Sequence, residues 1–245
     1  MIFVTGGTGL VGAHVLLNLS KKAKNFKALK RYSSSLDLCK RIFDYYNAES
    51  LFAQINWVDG DINDIPSLEE GMKECNMLLH CAGVVSFFPA DMELLQKVNI
   101  EGTKNIMNVA LTLGIKKAGF VSSIAALGRN STAGIVDEEC YFKATKLESN
   151  YALSKYYAEQ EVWRASAEGL NIFIVNPSII LGPGDWEKGS SKIFERIYQG
   201  LKFYTHGSTG YVDVVDVAEV LIQLLFSDIK NQRFVVSAIN LKYRD

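Results

Sequence analysis

No stretch of this 245-residue chain narrows its architecture as much as Thr5-Gly6-Gly7-Thr8-Gly9-Leu10-Val11-Gly12. A short apolar run, Ile2-Phe3-Val4, leads into it, and a pattern of helical period leaves it. Three glycines, Gly6, Gly9 and Gly12, fall on the strand-to-helix turn, where the chain must bend sharply and the helix start must pack against the strand. The free amides and positive dipole end of that helix suit phosphate groups. A glycine-rich turn can be no more than a turn. Its setting, strand before and helix after, favours a dinucleotide site formed by Gly6, Thr8, Gly9, Leu10, Val11 and Gly12.

The rest of the chain repeats the same alternation. Apolar runs rich in Val, Ile and Phe predict strands near 2–5, 27–30, 55–58, 77–81, 119–122 and 171–175. Helical periodicity predicts helices over 10–22, 36–46, 66–73, 92–113, 151–168 and 216–226. Such alternation is the pattern of βαβ units, so the expected fold is α/β with a doubly wound parallel sheet. Segments 129–149 and 182–210 break the rhythm with clustered Gly, Ser, Thr and charges, and are either substrate-site loops or plain surface loops.

The end of the second strand carries Lys30-Arg31-Tyr32 where an acidic residue would grip the ribose hydroxyl of NAD. Two cations would pair with a 2′-phosphate instead, which points to NADP, with NAD as the second choice. The other reading is that Lys30 and Arg31 only solvate a strand end. After the third strand, Asp61 with Ile62 either accepts from an adenine amino group or caps a turn.

Tyr151 and Lys155 stand four apart, on one face of a predicted helix. A cation beside a phenol stabilises the phenolate, so the pair is suited to proton transfer near neutrality. Alone, such a pair is also what a helix surface produces by chance.

Composition excludes other classes. Lys+Arg total 26 against 27 Asp+Glu, a formal charge of −1 that singles out neither nucleic acid nor an anionic membrane as partner. With 48% apolar residues the chain can bury a sizeable core. No membrane-length apolar run is present, and the first residues enter the glycine cluster without the pattern of a signal peptide. Cys39, Cys75, Cys81 and Cys140 form no CxxC pair, and His14, His80 and His206 are scattered. No metal site is expected, and a reduced, cytoplasmic setting is.

Several motifs occur together in one order: the glycine turn, Leu79-His80-Cys81-Ala82-Gly83, Asn99-Ile100-Glu101-Gly102-Thr103, Phe120-Val121-Ser122-Ser123-Ile124-Ala125, the Tyr151/Lys155 pair, and Asn176-Pro177-Ser178-Ile179. With them the chain resembles, over essentially its whole length, the extended short-chain dehydrogenase/reductase family. Within it the resemblance is to the dihydroflavonol reductase and 3β-hydroxysteroid dehydrogenase branch of the NAD-dependent epimerase/dehydratase group. It implies a Rossmann fold and an NAD(P)-dependent oxidoreductase. By this resemblance Tyr151 is the general acid/base, Lys155 lowers its pKa and contacts the nicotinamide ribose, and Ser123 bonds the substrate oxygen. Ser122 is the alternative for that last role. Asn99 either supports the proton path or bonds neighbouring backbone. Cys81, Ala82, Gly83, Pro177, Ser178 and Ile179 line the cofactor or simply pack the strand ends, and Cys81 reads as a small buried side chain.

The resemblance also implies a helical substrate lobe after the run 233–238, of which only 239–245 are present, 241–245 looking like the start of a helix. The expected organisation is a dinucleotide-binding domain over 1–176 and a shortened substrate lobe over 177–245. Lys30-Arg31 speaks against the sugar-nucleotide epimerases and dehydratases of this scaffold, as does Ile124-Ala125 beside Ser123. Reduction of a ketone or aldehyde is therefore expected, and Val84, Val85, Phe87, Phe88 and Trp186 either suit a hydrophobic carbonyl compound or serve core or interface packing. A non-catalytic cofactor-binding scaffold is the remaining alternative. Helices 92–113 and 151–168 match the family's dimer contact, making a homodimer the expected assembly.

Overall fold

The computed structural model describes residues 1–128, 135–145, 148–185, 192–200 and 206–243. Strand β1 (Ile2–Thr5) is buried along its whole length and feeds through the glycine turn into helix α1 (Leu10–Lys21), which ends within a residue of its expected place. Strand β2 (Phe26–Lys30), helix α2 (Asp37–Tyr45), the short helix α3 (Glu49–Phe52) and strand β3 (Asn56–Asp59) follow. Next come helix α4 (Ile65–Met72) and strand β4 (Met77–His80).

The long helix expected over 92–113 is broken. It consists of α5 (Met92–Leu95), a π-turn over Gln96–Glu101 and α6 (Gly102–Thr112). Wider π-turns recur at functional sites, and this one carries Asn99. Strand β5 (Lys117–Val121) leads to the segment of Ser122 and Ser123, and helix α7 (Asn150–Ala167) begins where Ser149 accepts from the Ala152 amide at 3.1 Å. Strands β6 (Asn171–Pro177) and β7 (Ile179–Leu181), helix α8 (Lys192–Tyr198) and strand β8 (Ser208–Asp213) come next. Helix α9 (Val214–Phe226), capped by Asp213, precedes strands β9 (Gln232–Val236) and β10 (Ile239–Lys242).

The main sheet has seven parallel strands in the order β3-β2-β1-β4-β5-β6-β9. That is one more than the six expected, because the run from Gln232 pairs beside β6 and closes the sheet edge. Helices α1, α2 and α9 contribute to the core on one face, and α4, α6 and α7 to the core on the other. Sheet order reverses between β1 and β4, so the crevice for a ligand opens there, at the strands' carboxyl ends. A second sheet, β10-β8-β7, lies beyond β6. It corrects the reading of 241–245 as a helix start: Ile239–Lys242 pairs antiparallel with β8, where backbone bonds to Ser208–Tyr211 outweigh the local helical pattern. Arg244 and Asp245 lie outside the described residues, as do Trp186 and parts of both irregular segments, 129–149 and 182–210.

Candidate active site

The glycine turn is held by its own backbone. Gly9 N donates to Gly6 O at 2.9 Å, and Gly6 has φ +72°, which favours a residue without Cβ. A Cβ on Gly12 would lie 2.1 Å from Gly6 O, so only glycine lets α1 start this close to the strand end. No side chain caps the start of α1, and its first turn has no acidic residue, which leaves its amide donors for an anion. Thr8, Gly9, Leu10 and Val11 are half-buried there. This cradle fits a pyrophosphate.

At the end of β2, Lys30 is paired with the Asp59 carboxylate of the neighbouring strand, whereas Arg31 and Tyr32 project to solvent. The two cations are therefore not equivalent. Asp61 makes a turn: its Oδ1 accepts from the Asn63 amide at 2.9 Å, and its own amide donates to Ser67 Oγ at 3.1 Å. Ile62 turns into the core against Gly102.

The end of β4 is tied to β1 and α6 through a buried histidine. His80 Nδ1 lies 2.6 Å from Thr5 Oγ1 and Nε2 lies 3.0 Å from Thr103 Oγ1. Burial, helped by the Lys155 charge, lowers its pKa to about 3, so the ring is neutral. Burial pushes the Cys81 thiol up to about 12, an inert thiol rather than a nucleophile. Ala82 donates its amide to Thr5 Oγ1 at 3.3 Å. Gly83 lies beside Asn99 and Lys155: a Cβ there would stand 3.4 Å from Asn99 Oδ1 and 3.9 Å from Lys155 Nζ, ordinary contact distances.

Asn99 serves the backbone. Its Oδ1 accepts from the Val84 amide at 2.8 Å, and its Nδ2 donates to Val84 O at 3.0 Å and to Ser154 Oγ at 2.9 Å. The π-turn thus clamps the loop leaving β4 against α7.

Ser122 and Ser123 part company at the end of β5. Ser122 is buried and donates to Glu159 Oε2 at 2.7 Å, while Ser123 Oγ accepts from the Ala125 amide at 3.1 Å and lies on the side of the Tyr151 phenol. Burial raises the Tyr151 pKa, and the Ser123 hydroxyl opposes that rise. Lys155 Nζ donates to Val121 O at 2.7 Å and lies 4.5 Å over the Phe120 ring. Burial lowers Lys155 to about 8, with Glu159 and Cys81 pulling the other way. The Phe87 ring stands edge-on to Tyr151 at 5.5 Å between centroids and is 71% exposed. Near the same strand ends, Pro177 is buried at the end of β6, Ile179 opens β7, and Ser178 Oγ is buried with no protein partner among the described residues.

Glu159 was not singled out from the sequence, although Tyr151, Lys155 and Glu159 repeat at intervals of four along one helix face. Besides Ser122, its carboxylate accepts from Asn176 Nδ2 at 2.9 Å, Arg233 Nη1 at 3.2 Å and Trp163 Nε1 at 3.3 Å. The regular spacing was a legible signal; its partners, from other strands, were not.

A doubly wound parallel sheet with a glycine cradle at its switch point defines a dinucleotide-binding α/β protein. The chain belongs to the NAD dependent epimerase/dehydratase family, whose model matches residues 2–237. It is 36% identical over 218 residues to a Synechocystis sp. protein named as a dihydroflavonol 4-reductase, covering 88% of this chain and 60% of that one. The chain therefore spans less than two thirds of that relative. The crystal structure of gox2253 is similar with a TM-score of 0.85 and 30% identity, over 99% of this chain and 71% of that one. DesIV, a dTDP-glucose 4,6-dehydratase of Streptomyces venezuelae with NAD and TYD bound, has a TM-score of 0.83 at 19% identity, covering 99% and 77%. At that identity it speaks for the fold alone.

Proposed function

We propose that this chain is the catalytic core of an NADPH-dependent reductase acting on a hydrophobic ketone or aldehyde. The observation that carries the reading is the junction of α7 with the end of β5: Lys155 Nζ donates to Val121 O at 2.7 Å, which brings the helix face of Tyr151 to the strand end that carries Ser123. A carbonyl oxygen placed between the two would accept from both hydroxyls. Tyr151 then gives its proton to that oxygen as negative charge develops on it. The bound nicotinamide supplies the hydride to the carbonyl carbon. Lys155, held by the Val121 carbonyl, keeps positive charge close to the site. Phe87, edge-on to Tyr151 and largely exposed, supports an apolar or aromatic substrate.

For the cofactor, Arg31 is the candidate partner of a 2′-phosphate, and Lys30 contributes charge while bound to Asp59. The amides of Gly9 to Gly12 would hold the pyrophosphate, and Ser178 Oγ is a free hydroxyl at the nicotinamide end. We place the enzyme in the cytoplasm as a homodimer through α5–α6 and α7. Among the described residues no helix is long and apolar enough to cross a membrane.

Fluorescence titration with NADPH and NADH is the test, followed by a panel of aromatic and aliphatic carbonyl compounds. A preference for NADPH that falls about tenfold in Arg31→Ala supports the reductase. Tight NADH binding with turnover of sugar nucleotides would replace it by the epimerase or dehydratase reading. Binding of neither would leave the scaffold reading.

A further inference from the structure

We propose that Glu159 is a positioning residue of this site: its carboxylate sets the strand end that carries Ser123 and ties the 135–145 loop down beside it. Glu159 is 1% exposed, so its carboxylate depends on protein donors rather than bulk solvent. Four donors from four elements meet on its two oxygens: Ser122 after β5, Asn176 in β6, Arg233 in β9 and Trp163 on its own helix. A charge so enclosed is stable only while these donors stay in place.

Two of the donors lead back to reactive groups. Asn176 Nδ2 bonds Glu159 and also donates to the Ser123 backbone oxygen at 3.0 Å, so one amide links the carboxylate to the serine. Ser122, the residue before Ser123, is held directly. Arg233 leads outward. Its Nε donates to Glu138 O at 2.8 Å and its Nη2 to Cys140 O at 3.3 Å, while Glu138 Oε1 accepts from the Val235 amide at 2.7 Å. The loop between β5 and α7 is thereby latched to β9 through the same carboxylate. Glu159 touches neither Ser123 nor Tyr151 in this network; it acts through Asn176, Ser122 and Arg233.

This inference rests on the Ser123–Tyr151–Lys155 site and not on the choice of substrate. Its test needs no substrate: NMR titration of the full chain carrying [ζ-13C]tyrosine and [ε-13C]lysine, with signals assigned through Tyr151→Phe and Lys155→Met. The groups facing Tyr151 are Ser123 and the Phe87 ring. Those facing Lys155 are Glu159 on its own helix, His80 and Cys81 from β4, and the Val121 carbonyl and Phe120 ring from β5.

In Glu159→Gln the Ser123 hydroxyl is no longer held beside the phenol whose pKa it lowers, so the Tyr151 midpoint moves up, by about half a unit or more. Loss of a nearby negative charge alone would move it down, so the direction separates positioning from simple electrostatics. The Lys155 midpoint moves down. Ser123→Ala raises the Tyr151 midpoint in the parent protein and raises it less in Glu159→Gln, since both changes act on the same hydroxyl. A folded Glu159→Gln whose Tyr151 midpoint stays put or falls overturns the proposal. Should the stranded Arg233 charge prevent folding, Asn176→Ala leaves the Glu159–Arg233 pair whole and cuts only the link to Ser123. The Tyr151 midpoint rises there too, and an unchanged value overturns the proposal equally.

Discussion

Lys155 donates to the Val121 backbone oxygen at 2.7 Å, so the cation nearest the site is anchored to the strand that, two residues later, presents Ser123. One strand end therefore carries both the Ser123 hydroxyl and the acceptor that fixes the charge. Helix α7 supplies the phenol and the ammonium from a single face, and the register between α7 and β5 decides whether they meet.

Replacement of Tyr151 by Phe removes the acid while leaving the ring that packs on Phe87. Carbonyl turnover falls by about 10²- to 10⁴-fold, the usual worth of a positioned acid, with NADPH affinity changed by less than about threefold. Steady-state rates and fluorescence titration measure the two. Unchanged turnover would remove Tyr151 from the chemistry and revive the scaffold reading.

Lys155 makes stability depend on pH in a defined direction. Its folded pKa of about 8 lies below the ordinary 10.5, so between these values the unfolded chain binds the extra proton and stability rises with pH. Below about 8 the burial of the charged ammonium is a constant cost. Denaturant melts at pH 7 and pH 10 therefore show wild type gaining on Lys155→Met, by up to about 3 kcal/mol. A constant difference between the two proteins would contradict it.

His80 works at the acid end. With a folded pKa of about 3 it stays neutral in the fold, while in the unfolded chain it takes up a proton below about 6.5. Stability is lost as pH falls through this window. Among variants, His80→Gln loses the bridge between Thr5 and Thr103 at neutral pH but gives up less on going to pH 4. Melts at pH 7 and pH 4 compare the slopes, and equal slopes would show that His80 is not the group responsible.

Gly12→Ala puts a methyl 2.1 Å from the Gly6 oxygen, a contact that backbone must relieve. The turn has to open, at a cost of about 1–3 kcal/mol, and the amides of α1 shift away from the phosphates. A lower Tm together with at least about tenfold weaker NADPH binding is expected. Native-like affinity in the variant would mean that the turn does not hold the cofactor.

Local periodicity was enough for much of this molecule. Buried parallel strands need continuous apolar runs, amphipathic helices need apolar residues three and four apart, and a tight strand-to-helix turn needs glycine, so β1 to β6, α1 and α7 were legible within a few residues. Each of these demands acts between near neighbours. Spacing alone also put Tyr151 and Lys155 on one face. What remained was settled by contacts between residues far apart in the chain. Only packing sends Ser122 inward to Glu159, 37 residues on, and commits Lys30 to Asp59 on the next strand. Only pairing with β8 puts Leu241 and Lys242, the front of the expected helix start at 241–245, into a strand, and only the closing of β9 beside β6 brings Arg233 to Glu159 across 74 residues. A side chain's type and spacing determine what it can do; which partner it does it with is chosen by the sheet order, which no single segment encodes.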